Sequence, residues 1–441
     1  MRIFVIGAGQ VGTTIVQSLH EEHELTVIDL DPTRLEPIAY RFDVSTIEGN
    51  GASRTVLSAA RLTGADLLIA CTSRDEANLV SAMIAKGISP QTTTIVRTTN
   101  PEYLEVWREG QLDVDFIVSS EEETAQAIAR SVAVPAARQT DVFAEGQVQM
   151  VELDVTESSS SAVVGVPLRE AELPADARIA SIIRGDEMTL PGGDDVLRPG
   201  DRIVVIGSPE AAQAWGRLIA PQTGRATDVV IWGAGRAGTA VARLLLTQGV
   251  GVRLLEASRE RARVVAEELP DARVYHATGI DPDFLERERI GEAQVGIFAM
   301  RDDMKNHYAA TLAKVHGVGF TIAIVDDPPA VEVFERAGID VTVNPRQVTA
   351  EEIVRFAHDP RTQQVTMLEN DRYEVLDITT RPGGEFVGMT FREMPIRGAL
   401  IGAIVRNGKA IFPRSNEVLR AGDRAIIFTE SARVGEVERS L

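Results

Sequence analysis

Short apolar runs alternate with amphipathic stretches along most of this chain. The run at 2–6 reads as a buried strand, a glycine-rich turn follows, and helical spacing continues to residue 20. A second apolar run, 25–28, ends on Asp29, and further runs lie at 67–71, 94–96 and 116–118. Apolar strands alternating with helical segments predict a parallel, doubly wound sheet. The pattern then restarts. Strand-like runs at 229–232 and 251–255 flank another glycine turn and helix, and the second run ends in Glu256. Gly233 lies 226 residues after Gly7 in a chain of 441.

A second block is also duplicated. Residues 179–205 align without gaps on 401–427 with ten of 27 positions identical, including Arg184/Arg406, Pro191/Pro413 and the Leu-Arg-x-Gly-Asp-Arg strings at 197–202 and 419–424. Period-2 alternation and Gly-Asp turn signals make these blocks small and β-rich. The predicted fold class is therefore α/β. Two Rossmann-like doubly wound parallel-sheet lobes, 1–134 and 225–358, are each followed by a small α+β lobe, 135–224 and 359–441. The boundaries are placed near Pro135, after an Ala-rich helix over 121–133, in the Pro/Gly/Thr segment 221–227, and at 358–360. The serines of 158–161 read as an exposed loop.

Composition narrows the function. The formal net charge is -20, from 45 basic and 65 acidic residues. Nucleic-acid binding needs clustered Lys and Arg, and adhesion to an anionic membrane surface needs the same, so neither fits; docking onto a basic protein face remains open. The single cysteine, Cys71, excludes a disulfide framework within one chain and fits a cytosolic location. No apolar run approaches the roughly 20 residues of a membrane span.

The candidate chemistry gathers at the first glycine turn, Gly7-Ala8-Gly9-Gln10-Val11-Gly12. It follows a strand, opens a helix and precedes an acid, which is the context of a dinucleotide fingerprint. Its glycines permit a tight turn and close approach of a pyrophosphate, and the helix N-terminus offers free N–H groups to the charge. Asp29 is expected to accept ribose hydroxyls. Asn50, after the third strand, is either an adenine- or ribose-edge contact or a simple turn residue. Thr72, Ser73 and Asp75 lie where the fourth strand gives way to a helix and suit nucleotide contact, helix capping or both. Arg97, just past another strand, points to the same sheet edge and could meet a phosphate. The second turn, with Gly233, Gly235, Gly238 and Glu256, repeats the design. Cys71 reads as a small core residue. The six histidines form no metal-spaced pair, the paired aspartates 194–195, 302–303 and 326–327 read as solvated turns, and no acid–base residue of a dehydrogenase is evident.

With these residues in place, the chain resembles the TrkA family, cytoplasmic regulatory proteins of bacterial Trk potassium uptake built from two RCK (regulator of potassium conductance) units. The resemblance covers essentially the whole chain. It rests on GAGQVG, ADLLIACTSRDEANLVSAMIAK, IVRTTNPEY, GIDVTVNP and the two LRxGDR blocks. It implies a nucleotide site at Gly7, Ala8, Gly9, Gln10, Val11, Asp29, Thr72, Ser73 and Arg97 for NAD(H) or ATP/ADP. It further implies a homodimer or homotetramer ring attached to the inner membrane face through a Trk-type potassium channel subunit, with no nucleic-acid partner. The second half departs from the pattern: Met300 stands for Thr72, Met304-Lys305 for Glu76-Ala77, Ala277-Thr278 for the usual Gly-Asp, and Asp326 or Asp327 for Arg97. The second site is then weakened, altered or empty. In the first half, Thr99 stands near where family members often carry a second Arg.

The reading that follows is a non-enzymatic, nucleotide-gated regulator. A nucleotide bridges the Gly7 loop, Asp29 and Arg97, and its differential affinity for two conformations is passed to the channel. The rivals are an NAD-dependent oxidoreductase, a regulator of another cation transporter, and a nucleotide-independent scaffold.

Overall fold

The computed structural model describes residues 1–21, 23–134, 137–185, 187–221, 226–354, 362–368, 372–391, 394, 398–413 and 416–441. The chain divides into two compact units, Met1–Thr124 with Asn344–Asp359, and Ala125–Val343 with Pro360–Leu441. The residues around the three expected boundaries, 135–136, 222–225 and 355–361, lie outside the described set.

The first unit opens with β1 (Arg2–Ile6), α1 (Gln10–Leu19), β2 (Glu24–Asp29), α2 (Pro32–Arg41), β3 (Ser45–Glu48) and α3 (Arg54–Ala59). It continues with β4 (Leu67–Ala70), α4 (Asp75–Ile88), β5 (Thr93–Thr98), α5 (Pro101–Arg108), β6 (Phe116–Ser119) and the start of α6 (Ser120–Ala133). All six strands are parallel, in the order β3-β2-β1-β4-β5-β6. That order reverses direction between β1 and β4, and this switch point is where such sheets bind ligands beyond their carboxyl ends. The central strands are apolar because both faces are covered: Ile3, Phe4, Val5, Leu68 and Ile69 are fully buried. Helix starts are locally encoded. Asp31, Ser53 and Asn100 accept a first-turn N–H at α2, α3 and α5.

The second unit carries an antiparallel sheet of β7 (Ala137–Phe143), β8 (Val148–Asp154), β9 (Ala177–Arg184), β10 (Glu187–Thr189) and β11 (Asp201–Gly207), in the order β10-β9-β11-β8-β7, then α7 (Pro209–Ile219). A second parallel sheet follows: β12 (Asp228–Trp232), α8 (Arg236–Thr247), β13 (Gly251–Glu256), α9 (Arg259–Glu268), β14 (Arg273–His276), α10 (Pro282–Arg287), β15 (Val295–Phe298), α11 (Asp303–Val315), β16 (Phe320–Ile324), α12 (Pro328–Arg336) and β17 (Val341–Val343). Its order, β14-β13-β12-β15-β16-β17, repeats the first. After α13 (Pro345–Val354) comes a second antiparallel sheet of β18 (Thr362–Leu368), β19 (Tyr373–Thr379), β20 (Ala399–Arg406), β21 (Lys409–Ile411) and β22 (Arg424–Glu430), closed by α14 (Val434–Ser440). Read from β21, its order matches that of the first antiparallel sheet. The predicted fold class is thus the observed one. Among the described residues no helix is long and apolar enough to cross a membrane.

The LRxGDR repeats have a shared physical cause. Arg184 donates twice to the Asp201 carboxylate, at 2.6 and 2.7 Å, and Arg406 does the same to Asp423 at 2.9 and 2.8 Å. The Arg198 and Arg420 N–H groups complete each cluster at 2.8 Å. The glycine before each aspartate, Gly200 at φ +91 and Gly422 at φ +84, turns the chain so that carboxylate and amide meet. A second ion pair is also duplicated: Arg202 with Glu152 in one sheet, Arg424 with Asp377 in the other. Burial pushes both of these carboxyl groups above their ordinary range, against the pull of the arginines. The two antiparallel sheets share one core, in which Met150, Val204 and Ile206 meet Val375, Ile426 and Phe428. A Cβ on Gly402 would fall 2.7 Å from the Ile206 Cβ, so the approach there depends on glycine.

One element departs from the sequence expectation. The span 225–358 contains α13, yet α13 belongs to the first unit, where it packs against α1 and β6. It covers part of the first sheet with Thr349, Ala350, Ile353 and Val354 buried. The α6 helix, conversely, begins in the first unit and continues into the second.

Candidate functional site

The first glycine loop is built by sterics. Gly7 sits at φ +111, and a Cβ there would lie 3.0 Å from the Thr72 nitrogen. A Cβ on Gly12 would lie 1.8 Å from the Gly7 carbonyl oxygen. These two glycines let the turn close against β4 and let α1 start close beneath it. A Cβ on Gly9 would meet nothing within 4 Å, so the loop is open on that side. As the N-cap of α1, Gly9 brings no side chain over the first-turn N–H groups, and Gln10 above them is exposed. Val11 is buried beneath the loop.

Asp29, at the end of β2, braces this loop. Its Oδ2 accepts the Ala8 N–H at 2.6 Å and its Oδ1 the Asp31 N–H at 2.9 Å. A carboxylate oxygen has lone pairs beyond one bond each, so acceptance from a ribose hydroxyl is still geometrically open. The other wall of the cleft is the turn after β4. Its organiser is Asn78, fully buried, whose Oδ1 accepts the Thr72 N–H at 2.9 Å and the Thr72 hydroxyl at 2.6 Å. The Asn78 amide donates to the Thr72 carbonyl at 3.1 Å and the Arg97 carbonyl at 3.0 Å. The Arg97 guanidinium then donates through Nε to the Ser120 hydroxyl at 2.9 Å and through Nη1 to the Thr72 carbonyl at 3.3 Å. Loop, acid, Thr72 and Arg97 therefore share the carboxyl edge of one sheet, with Ser73 exposed on the same turn.

The structure settles the local bonding of three further positions. Asn50 makes the turn that was one of its two readings: its Oδ1 accepts the Ala52 N–H at 2.9 Å. Asp75 does not cap α4, whose N-cap is Arg74. The Asp75 Oδ2 instead accepts the Thr99 and Asn100 N–H groups at 3.0 and 2.9 Å and holds the turn after β5. The position matching Arg97 is Ile324, not Asp326 or Asp327. The register pairs Ile69 with Ile95 and Ile297 with Ile322, and Asn306 donates to the Ile324 carbonyl as Asn78 does to that of Arg97. Asp326 and Asp327 match Thr99 and Asn100, and their N–H groups go to Asp303. Cys71 is a core residue, as expected: burial pushes its thiol up to about 12, and its Sγ lies 3.5 Å from the Ile6 carbonyl.

The second loop repeats the first one's sterics. Gly233 has φ +99, a Cβ on Gly238 would lie 2.0 Å from the Gly233 oxygen, and Gly235 is open. Glu256 replaces Asp29, accepting the Ala234 and Ser258 N–H groups at 2.9 and 2.8 Å. Around that frame the chemistry differs. Ile324 removes the cation and Met300 removes the hydroxyl. The Trp232 indole donates to the Gly279 carbonyl at 2.8 Å and stacks on Phe298. Arg261 donates to the Ala234 carbonyl at 2.8 Å and to the Thr239 hydroxyl at 3.1 Å, fastening the loop to α8.

Sequence reasoning missed Asn78, Ser120 and Arg346. Arg346, on α13, donates to the Gln10 side chain at the first loop. A signal for the first existed in the matching Asp-x-x-Asn spacing of 75/78 and 303/306.

This geometry can be set beside known proteins. Residues 3–120 and 229–345 match the TrkA-N domain, and 150–220 and 375–441 match the TrkA-C domain. The chain belongs to the TrkA family. It is 33% identical over 441 residues to the Trk system potassium uptake protein TrkA homolog of Archaeoglobus fulgidus, covering 99% of each chain. Among solved structures it is similar to the GsuK RCK domain, with TM-score 0.59 and 19% identity over 100% of this chain and 94% of that one. It is likewise similar to the GsuK channel bound to NAD, with TM-score 0.60 and 19% identity over 100% and 79%. The described cleft thus lies in the first TrkA-N domain, and the Ile324/Met300 variant of it in the second.

Proposed function

We propose that this chain is the nucleotide-responsive regulatory subunit of a Trk-type potassium uptake system, acting by conformational change and not by turnover. The observation that carries the reading is the first cleft in a chain that matches Trk relatives from end to end. There the open Gly9 loop, the α1 N-terminus, Asp29 and Arg97 share one sheet edge. The loop N–H groups suit a pyrophosphate, Asp29 suits a ribose, and Arg97 suits phosphate charge. NAD(H) and ATP/ADP both fit that description, and the NAD bound to the similarly folded GsuK channel keeps the former in view. The second cleft, with Ile324 in place of Arg97, binds such ligands weakly or not at all.

In this reading the protein works at the inner membrane face as a homodimer or homotetramer ring, held there by its channel partner. Calorimetry of the full chain with ATP, ADP, NAD⁺ and NADH, alongside potassium flux through the co-reconstituted channel, tests it. One site per chain and a ligand-dependent flux are expected. Binding of none of the four nucleotides overturns the gating mechanism, and turnover of NADH favours an oxidoreductase.

A further inference from the structure

Two arginines are tied to one residue of the first cleft. Thr72 abuts the glycine loop, since a Cβ on Gly7 would lie 3.0 Å from its nitrogen. Its carbonyl accepts Arg97 Nη1 at 3.3 Å, and its hydroxyl accepts the Arg74 N–H at 3.2 Å. The Arg74 backbone is thereby pinned on the turn after β4, and the residue is exposed. Among the described residues its guanidinium makes no hydrogen bond or ion pair. The acids that follow it are engaged elsewhere. Asp75 Oδ2 accepts the Thr99 and Asn100 N–H groups, and Glu76 Oε1 accepts the Tyr103 hydroxyl at 3.2 Å.

Arg74 is also the N-cap of α4, with no side-chain cap bond. Arginine suits that position poorly, because a cap should accept a first-turn N–H and the positive end of a helix repels a cation. The matching residue of the second lobe is Asp302, whose Oδ1 accepts the Lys305 N–H at 3.1 Å. An arginine, Arg301, does precede Asp302, but two aspartates, 302 and 303, follow it directly. The first lobe thus forgoes a cap that the second keeps, and carries an uncompensated positive charge beside its cleft. A local rule broken without a structural gain points to function.

We propose that Arg74 is a specificity-determining residue of the first nucleotide site, reading with Arg97 a phosphate beyond the two held by the Gly7 loop. The inference rests on the nucleotide reading of that loop and deepens it. Asp29, suited to the ribose, ends β2 on one side of the loop; Thr72, Arg74 and Arg97 lie on the other, at the ends of β4 and β5. A ligand whose ribose meets Asp29 and whose first two phosphates lie on the loop extends toward the arginines. A triphosphate brings a third phosphate there, a diphosphate ends short of it, and a dinucleotide brings a neutral ribose. Guanidinium bonds to phosphate oxygens are charge-assisted, and a ribose hydroxyl offers no such partner. The site therefore favours ATP over both ADP and NAD.

The test is calorimetric binding of ATP, ADP and NAD⁺ to the full chain, wild type against Arg74→Gln, Arg74→Lys and Arg74→Asp, with thermal melts of each. Arg74→Gln is expected to weaken ATP by about tenfold and NAD⁺ by less than about threefold. The lysine variant, charged but not forked, is expected in between. Arg74→Asp restores the cap of the second lobe, so it is expected to melt no lower than wild type while binding ATP about a hundredfold more weakly. Should one variant fail to fold, the other two carry the comparison. Equal losses for all three ligands would make Arg74 a support of the turn and overturn the proposal, as would ATP binding unchanged in Arg74→Gln and Arg74→Asp. Wild-type binding of NAD⁺ without ATP would overturn it while leaving the site in place. Binding of no nucleotide by the wild type would remove the site and the proposal together.

Discussion

Asn78 donates to the Arg97 carbonyl at 3.0 Å, and Asn306 donates to the Ile324 carbonyl at 2.9 Å. Both asparagines are fully buried, and each also satisfies the turn after the preceding strand, at Thr72 or Met300. The clasp is thus part of the frame of both lobes, whereas the cation at the end of β5 belongs to the first alone. Asn78→Ala and Asn306→Ala leave buried backbone groups unpaired and should each destabilise the lobe that holds them by about 1–3 kcal/mol. Only Asn78→Ala should also abolish nucleotide binding. Melting curves and calorimetry of the two variants check this, and equal loss of binding in both would contradict a single working site.

Arg97 and Ser120 make a second contrast. Arg97→Ala removes a charged ligand and should weaken nucleotide binding by about 1.5–3 kcal/mol. Ser120→Ala removes only the acceptor that orients Nε, so its loss should be smaller and should fall on the same ligands. A titration in which Ser120→Ala exceeds Arg97→Ala would place the serine, not the arginine, against the nucleotide.

These residues show what the sequence made legible. The strands, loops and paired acids were readable because each is a local pattern: an apolar run, a glycine turn, a strand-ending carboxylate. The duplicated Arg-Asp clusters were visible as identities, though their bidentate geometry was not. The swapped helix α13 was not legible. Residues 345–354 show hardly any apolar stripe, with Thr349 and Ala350 among the positions buried, and which sheet they cover is decided by tertiary packing. The match of Arg97 was misplaced because the apolar run of β16 admits more than one register, and the strand pairing together with the Asn306 bond fixes it. Asn50 was left open for a related reason, since asparagine after a strand serves a turn as readily as a ligand.

Cys71 gives a cheap check on the packing beneath the loop. Its thiol is pushed up to about 12 by burial, so at pH 8 the thiolate fraction in the folded protein is on the order of one in ten thousand. The chain has a single cysteine. A thiol reagent should therefore stay almost unreacted with native protein and titrate one group on unfolding. Rapid reaction of the native chain would mean that the β4 edge opens freely.

The repeated Arg-Asp clusters allow a comparison within one molecule. Asp201 and Asp423 are both buried, but the Arg184 side chain is 49% exposed and the Arg406 side chain 15%, with Glu417 adding a bond at 2.8 Å. Asp201→Asn takes from Arg184 the carboxylate it is bonded to, whereas Arg406 keeps Glu417 in Asp423→Asn. Water can solvate Arg184, and Glu417 still compensates the less exposed Arg406. Each replacement should therefore cost about 1–3 kcal/mol. Asp201 also carries a pH signature. Burial works against its charge, but the Arg184 guanidinium and the Arg198 N–H outweigh it and hold the carboxyl below its ordinary 3.8. A depressed folded value contributes stability above pH 3.8 that is lost as pH falls through the folded value. The stability gap between wild type and Asp201→Asn should accordingly be full at neutral pH and shrink below pH 3.8. A gap that widens in acid would reverse the sign of the interaction and would mean that Arg184 does not hold Asp201 in its charged form.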